Sequence, residues 1–90
     1  MDIFVEIVGW FGAACLLLAF YLNSRNIYPA TSVISLVINV LGAVGLLING
    51  LYHGALPSVG LNGIWIFVGA TALYKALRAA KWVKKSLLIA

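Results

Sequence analysis

Three long apolar stretches, separated by short polar segments, cover most of the 90-residue sequence. The first runs from about residue 3 to 22 and is interrupted only by Glu6. The second covers residues 30–52 without a charge, and the third covers residues 58–77. Because a helix rises about 1.5 Å per residue, roughly 20 residues cross a hydrocarbon core about 30 Å thick. The pattern therefore predicts three transmembrane helices.

The short polar segments between the apolar stretches indicate how the helices are joined. Asn23-Ser24-Arg25-Asn26 ends the first stretch, and Pro29 stands where the first turn of the second helix is expected. The runs lack the alternation of membrane β-strands, and an isolated span satisfies its backbone hydrogen bonds only as a helix. The predicted fold is an all-α membrane protein, a three-transmembrane-helix bundle.

The C-terminal residues continue the third helix with a different pattern. Basic and apolar residues each recur every three or four positions, the basic ones at Arg78, Lys81 and Lys85 and the apolar ones at Leu77, Ala80, Val83 and Leu87. This spacing is typical of an amphipathic helix at a membrane surface. We expect a transmembrane domain of residues 1–77 followed by a basic amphipathic cytoplasmic tail, residues 78–90.

Composition and charge support a membrane protein and orient it. Hydrophobic residues make up 64% of the chain and charged residues 9%, against roughly 25% charged residues in soluble domains. With three spans, all six lysines and arginines fall on one side, and Asp2, Glu6 and His53 fall on the other. The positive-inside rule then predicts an external N-terminus and a cytoplasmic C-terminus. We expect a multi-pass protein of the cell inner membrane, in contact with membrane lipid, and no nucleic-acid partner.

Three amides interrupt the apolar spans at Asn39, Asn49 and Asn62. A buried amide is costly in hydrocarbon unless a hydrogen bond satisfies it. Asn49 and Asn62 flank the same short turn, about 5 Å and 8 Å from its two sides, so they are expected at similar depth on antiparallel neighbours. Two interpretations stay open: the amides bridge helices, or they line a path for a polar solute.

No pattern in the sequence indicates an enzyme. The chain has no cluster of metal ligands, no nucleophile paired with a base and no phosphate-binding glycine loop. The single cysteine, Cys15, excludes an internal disulfide. We therefore predict a non-enzymatic protein that needs no cofactor and no metal.

Residues 42–66, GAVGLLINGLYHGALPSVGLNGIWI, resemble the second and third helices of SemiSWEET transporters, the bacterial half-size relatives of the SWEET sugar transporters in the PQ-loop superfamily. The matching elements are Asn49-Gly50, Leu56-Pro57 and Asn62. The stretch GWFGAACLLLAFYLNSRN is similar to that family's first helix, and the resemblance covers about residues 8–76.

The resemblance implies a bundle whose third helix packs between the first two, and a parallel homodimer around a central path. Asn62 then matches the substrate-binding asparagine. Several family positions carry other residues here: Leu22-Asn23 replaces the PQ motif, Leu46 the substrate-stacking tryptophan, Asn49 the outer-gate tyrosine, and His53 and Ala55 the gate arginine and aspartate. The chain thus resembles a divergent branch of small bacterial membrane proteins lacking the PQ motif.

Two functional hypotheses follow from the sequence. The first is a SemiSWEET-like homodimeric transporter that moves a small polar solute, such as a sugar, by alternating access. Its substrate-binding residues would be Asn62, Asn49, Asn39 and Leu46, and its gate or hinge residues Leu22, Asn23, His53 and Pro57. The second is a non-transporting structural or accessory protein that packs against a larger membrane complex, with asparagines that only bridge helices. A third reading is a lipid-surface regulator acting through its basic tail.

Overall fold

The computed structural model describes residues 2–89 and places them in three helices. These are α1 (Asp2–Ser24), α2 (Val33–His53) and α3 (Leu56–Ile89). Each helix is long and apolar enough to span a membrane. The all-helical, three-helix architecture expected from the sequence is therefore confirmed. The predicted transmembrane domain begins at Met1 and the predicted tail ends at Ala90, and both residues lie outside the described part of the chain.

The second helix begins three residues later than predicted. Ser32 has extended backbone angles (φ −69°, ψ 151°), and its hydroxyl oxygen accepts a hydrogen bond from Ser35 N at 3.2 Å. This is an N-cap, which satisfies one of the free N–H groups at a helix start. The expectation that Pro29 opens α2 is thus wrong, because a serine downstream supplies the cap and Pro29 stays in the connecting loop.

A two-residue turn joins α2 to α3. Gly54 adopts a left-handed conformation (φ 68°), and Ala55 N donates to Gly50 O at 2.9 Å, which closes the end of α2. Glycine tolerates this conformation because it has no Cβ. Pro57 then stands in the first turn of α3, where its missing N–H costs nothing. The turn makes α2 and α3 antiparallel neighbours, as the sequence predicts.

The middle position in the bundle belongs to α2. It packs against both α1 and α3, while the backbones of α1 and α3 do not approach each other within the described residues. The expectation that the third helix lies between the first two is therefore wrong. The two connections are short enough to join consecutive helices side by side.

Glycines bring α1 and α2 into close backbone contact. A Cβ added at Gly12 would lie 2.5 Å from Gly42 O, and one added at Gly45 would lie 2.8 Å from Val8 O. Small residues are common where membrane helices pack closely. The same interface contains a hydrogen bond between helices, from Asn49 Nδ2 to Val5 O at 3.1 Å.

The third helix is much longer than a membrane span. Its 34 residues extend about 51 Å at 1.5 Å per residue, against a hydrocarbon core about 30 Å thick. The helix continues without interruption through residue 78, where the sequence predicts the tail to begin. The helical character of residues 78–89 agrees with the amphipathic spacing, and the tail's cytoplasmic position stays a prediction.

Candidate functional site

An open groove lies between α1 and α3, over the face of α2 that neither helix covers. Its volume is about 540 Å³. Each helix contributes one asparagine to its wall: Asn23 from α1, Asn39 from α2 and Asn62 from α3. Leucine, valine and aromatic side chains form most of the remaining lining. The groove therefore combines a largely apolar wall with three amides placed along its length.

Asn62 is the most buried of these amides, with only 8% of its surface exposed. Its Nδ2 donates to Ser58 O at 2.9 Å and lies 3.3 Å from Ser58 Oγ, one turn earlier in α3. A carbonyl oxygen only accepts, so the amide nitrogen must face Ser58 and the amide oxygen must face away from it. Within the described residues Oδ1 has no hydrogen-bond partner, yet it is not sealed from the groove. Asn62 thus offers a free acceptor.

Asn39 and Asn23 complete the polar wall. Asn39 Nδ2 donates to Ser35 O at 3.0 Å, which repeats the Asn62 arrangement and leaves a second free amide oxygen. Asn23 Oδ1 accepts from Ser35 Oγ at 2.9 Å, a bond that joins α1 to α2. The amide nitrogen of Asn23 keeps its two hydrogens for another partner. The groove therefore presents two acceptors and one double donor.

Aromatic rings accompany the amides. Trp65 lies three residues after Asn62 and lines the same groove with half of its surface exposed, and Phe20 lines it from α1. Residues three apart share one face of a helix. Sequence reasoning missed Trp65 because the resemblance directed attention to Leu46 as the position of the stacking ring. The i, i+3 spacing from Asn62 was the available signal.

Two predicted substrate-binding residues lie elsewhere. Asn49 and Leu46 border a smaller depression of about 260 Å³ that is also lined by Glu6, Gly9 and Trp10. The amide of Asn49 is used in its bond to Val5 O, between α1 and α2. The structure therefore places Asn39 and Asn62 on the wall of one groove, and Asn49 and Leu46 beside a different depression. For Asn49, this placement matches the helix-bridging interpretation.

The predicted gate residues occupy opposite ends of the bundle. His53 Nε2 lies 3.2 Å from Glu6 Oε1, which links the end of α2 to the start of α1, near Pro57 in sequence. Both side chains are about half exposed, so the pair contributes only about 0–1 kcal/mol. At the other end, the carbonyl of Leu22 accepts hydrogen bonds from the loop after α1, beside Asn23.

Cations gather at the end of the bundle where α1 finishes. Arg25 lies over the Tyr21 ring at 5.9 Å, and Arg78 lies over the Tyr74 ring at 5.8 Å. Arg78 Nη1 also donates to the Tyr74 hydroxyl at 3.4 Å. Within residues 2–89, no group of three or more histidine, cysteine or acidic side chains is close enough to hold a metal ion.

Comparison with known proteins places the chain in a family. Residues 5–81 match the sequence model of a protein family. The matched stretch covers well over half of the chain and includes all the residues that line the groove. The chain belongs to this uncharacterised family. No curated protein and no solved structure matches the chain. The family match ends at Lys81, so the final part of the basic segment lies beyond it.

Proposed function

We propose that the chain spans the inner membrane three times and acts as a SemiSWEET-like homodimeric transporter for a small polar solute. The observation that carries this proposal is the groove between α1 and α3, where Asn23, Asn39 and Asn62 leave hydrogen-bonding atoms free. Amides that served only to bridge helices would use these atoms on neighbouring helices. Asn39 and Asn62 instead bond to their own helices.

The open side of the groove supports a dimer. Lipid tails cannot accept or donate hydrogen bonds, so free amide atoms facing them would cost free energy. A second copy placed with its groove opposite the first would replace lipid and enclose a wet path between the subunits. The two-fold symmetry of such a dimer would bring both copies of Asn62 to one axis.

The chemistry of the groove favours an uncharged solute. Its lining carries no charged side chain, and its polar side-chain groups are the three amides and the indole N–H of Trp65. Trp65 adds a flat apolar surface beside the amides, which suits a solute with both apolar and hydroxyl or amide groups. A volume of about 540 Å³ per copy falls within the range of small-molecule sites, about 300–1,000 Å³.

Alternating access would use the weakly joined outer helices. Within the described residues the backbones of α1 and α3 approach α2 and not each other, so a movement of one against the other would break no close backbone packing. The groove is lined by residues 16–23 of α1, towards the predicted cytoplasmic end, while the Glu6–His53 pair links α1 to α2 at the opposite end. On α3 the groove runs from Leu61, near the predicted outer end, to Ala72, so alternating access would need α1 and α3 to close at one end while they part at the other.

Reconstitution tests the proposed function. Proteoliposomes containing the protein should equilibrate small neutral polyols or monosaccharides faster than empty liposomes, as measured by stopped-flow osmotic swelling. Light scattering in detergent should give the mass of a dimer. A monomer that leaves liposome permeability unchanged for every tested solute would contradict the proposal.

The accessory role is the second candidate, and the Asn49–Val5 hydrogen bond favours it. That bond uses an intramembrane amide for packing alone, and the glycine contacts between α1 and α2 serve the same end. If this role is correct, mild solubilisation should recover a monomer within a larger membrane complex. Mass spectrometry of the affinity-purified protein would identify the same stoichiometric partners in repeated preparations.

The orientation of the chain has a direct test. A cysteine introduced as Ser86→Cys in a Cys15→Ser background should stay unlabelled by an impermeant maleimide in intact cells and react after lysis. The basis is that every lysine and arginine lies on the side of the α3 C-terminus. As a control, Tyr52→Cys, at the predicted outer end, should react in intact cells. The reverse labelling pattern would invert the orientation.

A further inference from the structure

The C-terminal part of α3 extends beyond the length that a helix needs to cross a hydrocarbon core. About 30 Å along α3 from Leu56 ends near Lys75, and residues 78–88 continue for roughly 15 Å more. Every residue from Leu77 to Lys85 is exposed. These residues therefore form a helical surface that the rest of the chain leaves uncovered, here named the terminal segment (residues 78–88).

The terminal segment groups its cations on one side of the helix. At 100° per residue, Arg78, Lys81, Lys84 and Lys85 fall within about a third of the circumference, and Val83 and Leu87 lie opposite them. Trp82 and Leu88 lie beside the cations and line one shallow depression with them. Trp82, Leu87 and Leu88 are 69%, 73% and 78% exposed. Water is a poor solvent for these apolar side chains, so the segment needs a surface that receives cations and apolar groups together.

The positive charge of the terminal segment indicates which kind of surface it binds. The two acidic residues of the whole sequence are Asp2 and Glu6, at the other end of the chain. Among residues 2–89, the contact that a carboxylate makes with a basic side chain is Glu6–His53, which leaves the lysines of the terminal segment without a carboxylate partner. Pairing two terminal segments would bring like charges together. A membrane surface rich in anionic phospholipid complements the cations and accepts Trp82 and Leu87 at its interface.

We propose that the terminal segment is a docking surface for anionic phospholipid headgroups at the membrane face where α3 emerges. Its lysines contact headgroup phosphates, and its apolar side chains lie at the boundary between headgroups and acyl chains. Docking requires α3 to lean or bend after Lys75 so that the segment lies along the surface. This proposal rests on the three-span placement of the chain and is independent of transport.

Nanodiscs containing the full-length protein provide the test. A fluorophore on Ser86→Cys, in a Cys15→Ser background, reports the approach of the segment to the membrane through quenching by neutral acrylamide. Quenching should fall about twofold or more in discs with phosphatidylglycerol relative to pure phosphatidylcholine discs. Salt near 1 M, where the Debye length is about 3 Å, should restore it.

Two matched variants separate charge from helix structure. Lys81→Gln, Lys84→Gln and Lys85→Gln together should abolish the lipid dependence, with each lost cation weakening docking about fivefold. The corresponding three Lys→Arg changes keep the charge and should preserve docking. Equal quenching in both lipids would overturn the proposal. So would shielding that occurs in neutral discs and survives the glutamine changes, because that result indicates apolar pairing with a second copy.

Discussion

Replacing Gly12 with alanine is expected to destabilise the bundle by about 1–3 kcal/mol, the usual cost of overpacking a close contact. The added Cβ would lie 2.5 Å from Gly42 O and 3.0 Å from Leu46 N. Both atoms belong to the backbone of α2, so no side-chain rotation can relieve the contact. The helices must separate, which also weakens the Asn49–Val5 hydrogen bond in the same interface.

Gly60→Ala is the matched control for this change. A Cβ at Gly60 would meet no atom within 4 Å, although the residue lies in the same kind of apolar helix. Alanine has a higher helix propensity than glycine by about 1 kcal/mol, so Gly60→Ala should leave stability equal or slightly higher. Gly45→Ala should behave like Gly12→Ala, because its Cβ would lie 2.8 Å from Val8 O.

Unfolding in detergent measures these differences. Tryptophan fluorescence or circular dichroism, followed as the fraction of denaturing detergent rises, should give a lower midpoint for Gly12→Ala than for Gly60→Ala. If the two midpoints coincide, the close backbone contact between α1 and α2 is not present in the folded protein.

The helices were predictable because hydropathy and length report them directly. Apolar runs of about 20 residues predict spans, and the short turn at Gly54 predicts antiparallel neighbours. Boundaries were less certain, since a single cap decides them. Because the hydroxyl of Ser32 caps α2, the helix begins at Val33, after Pro29. In α3, the sequence marked the change from span to basic segment, and the helix itself does not break there.

The partners of the amides were harder to predict than their depths. Position along a helix fixes depth, whereas the neighbour depends on rotation about the helix axis and on the order of packing. Asn49 and Asn62 lie on the two sides of the turn that joins α2 to α3. Asn49 nevertheless bonds to α1, whereas Asn62 bonds to the backbone of its own helix and lines the groove. The central place of α2 determines this separation. A one-dimensional pattern carries no signal for that order, and the family resemblance suggested another.

We therefore expect alanine substitutions at Asn62 and Asn49 to have opposite effects, the first on solute flux and the second on stability. Asn62→Ala should reduce solute flux in proteoliposomes by about tenfold or more, because leaving a bound solute's polar group without its hydrogen-bond partner costs about 1–3 kcal/mol. Its effect on stability should be small, since Asn62 bonds only within its own helix. Asn49→Ala should lower stability, by about 0.6 kcal/mol on average for a hydrogen bond between membrane helices, and leave flux per folded protein unchanged.

Measuring flux and stability on the same preparations makes the contrast decisive. Osmotic swelling rates normalised to folded protein give the flux, and detergent unfolding midpoints give the stability. A transporter that uses the groove requires the loss of flux to follow Asn62 and the loss of stability to follow Asn49. Unchanged flux in Asn62→Ala would remove this amide from solute binding. If both variants lost only stability, the amides of the groove would serve packing, and the accessory role would account for the protein better than transport.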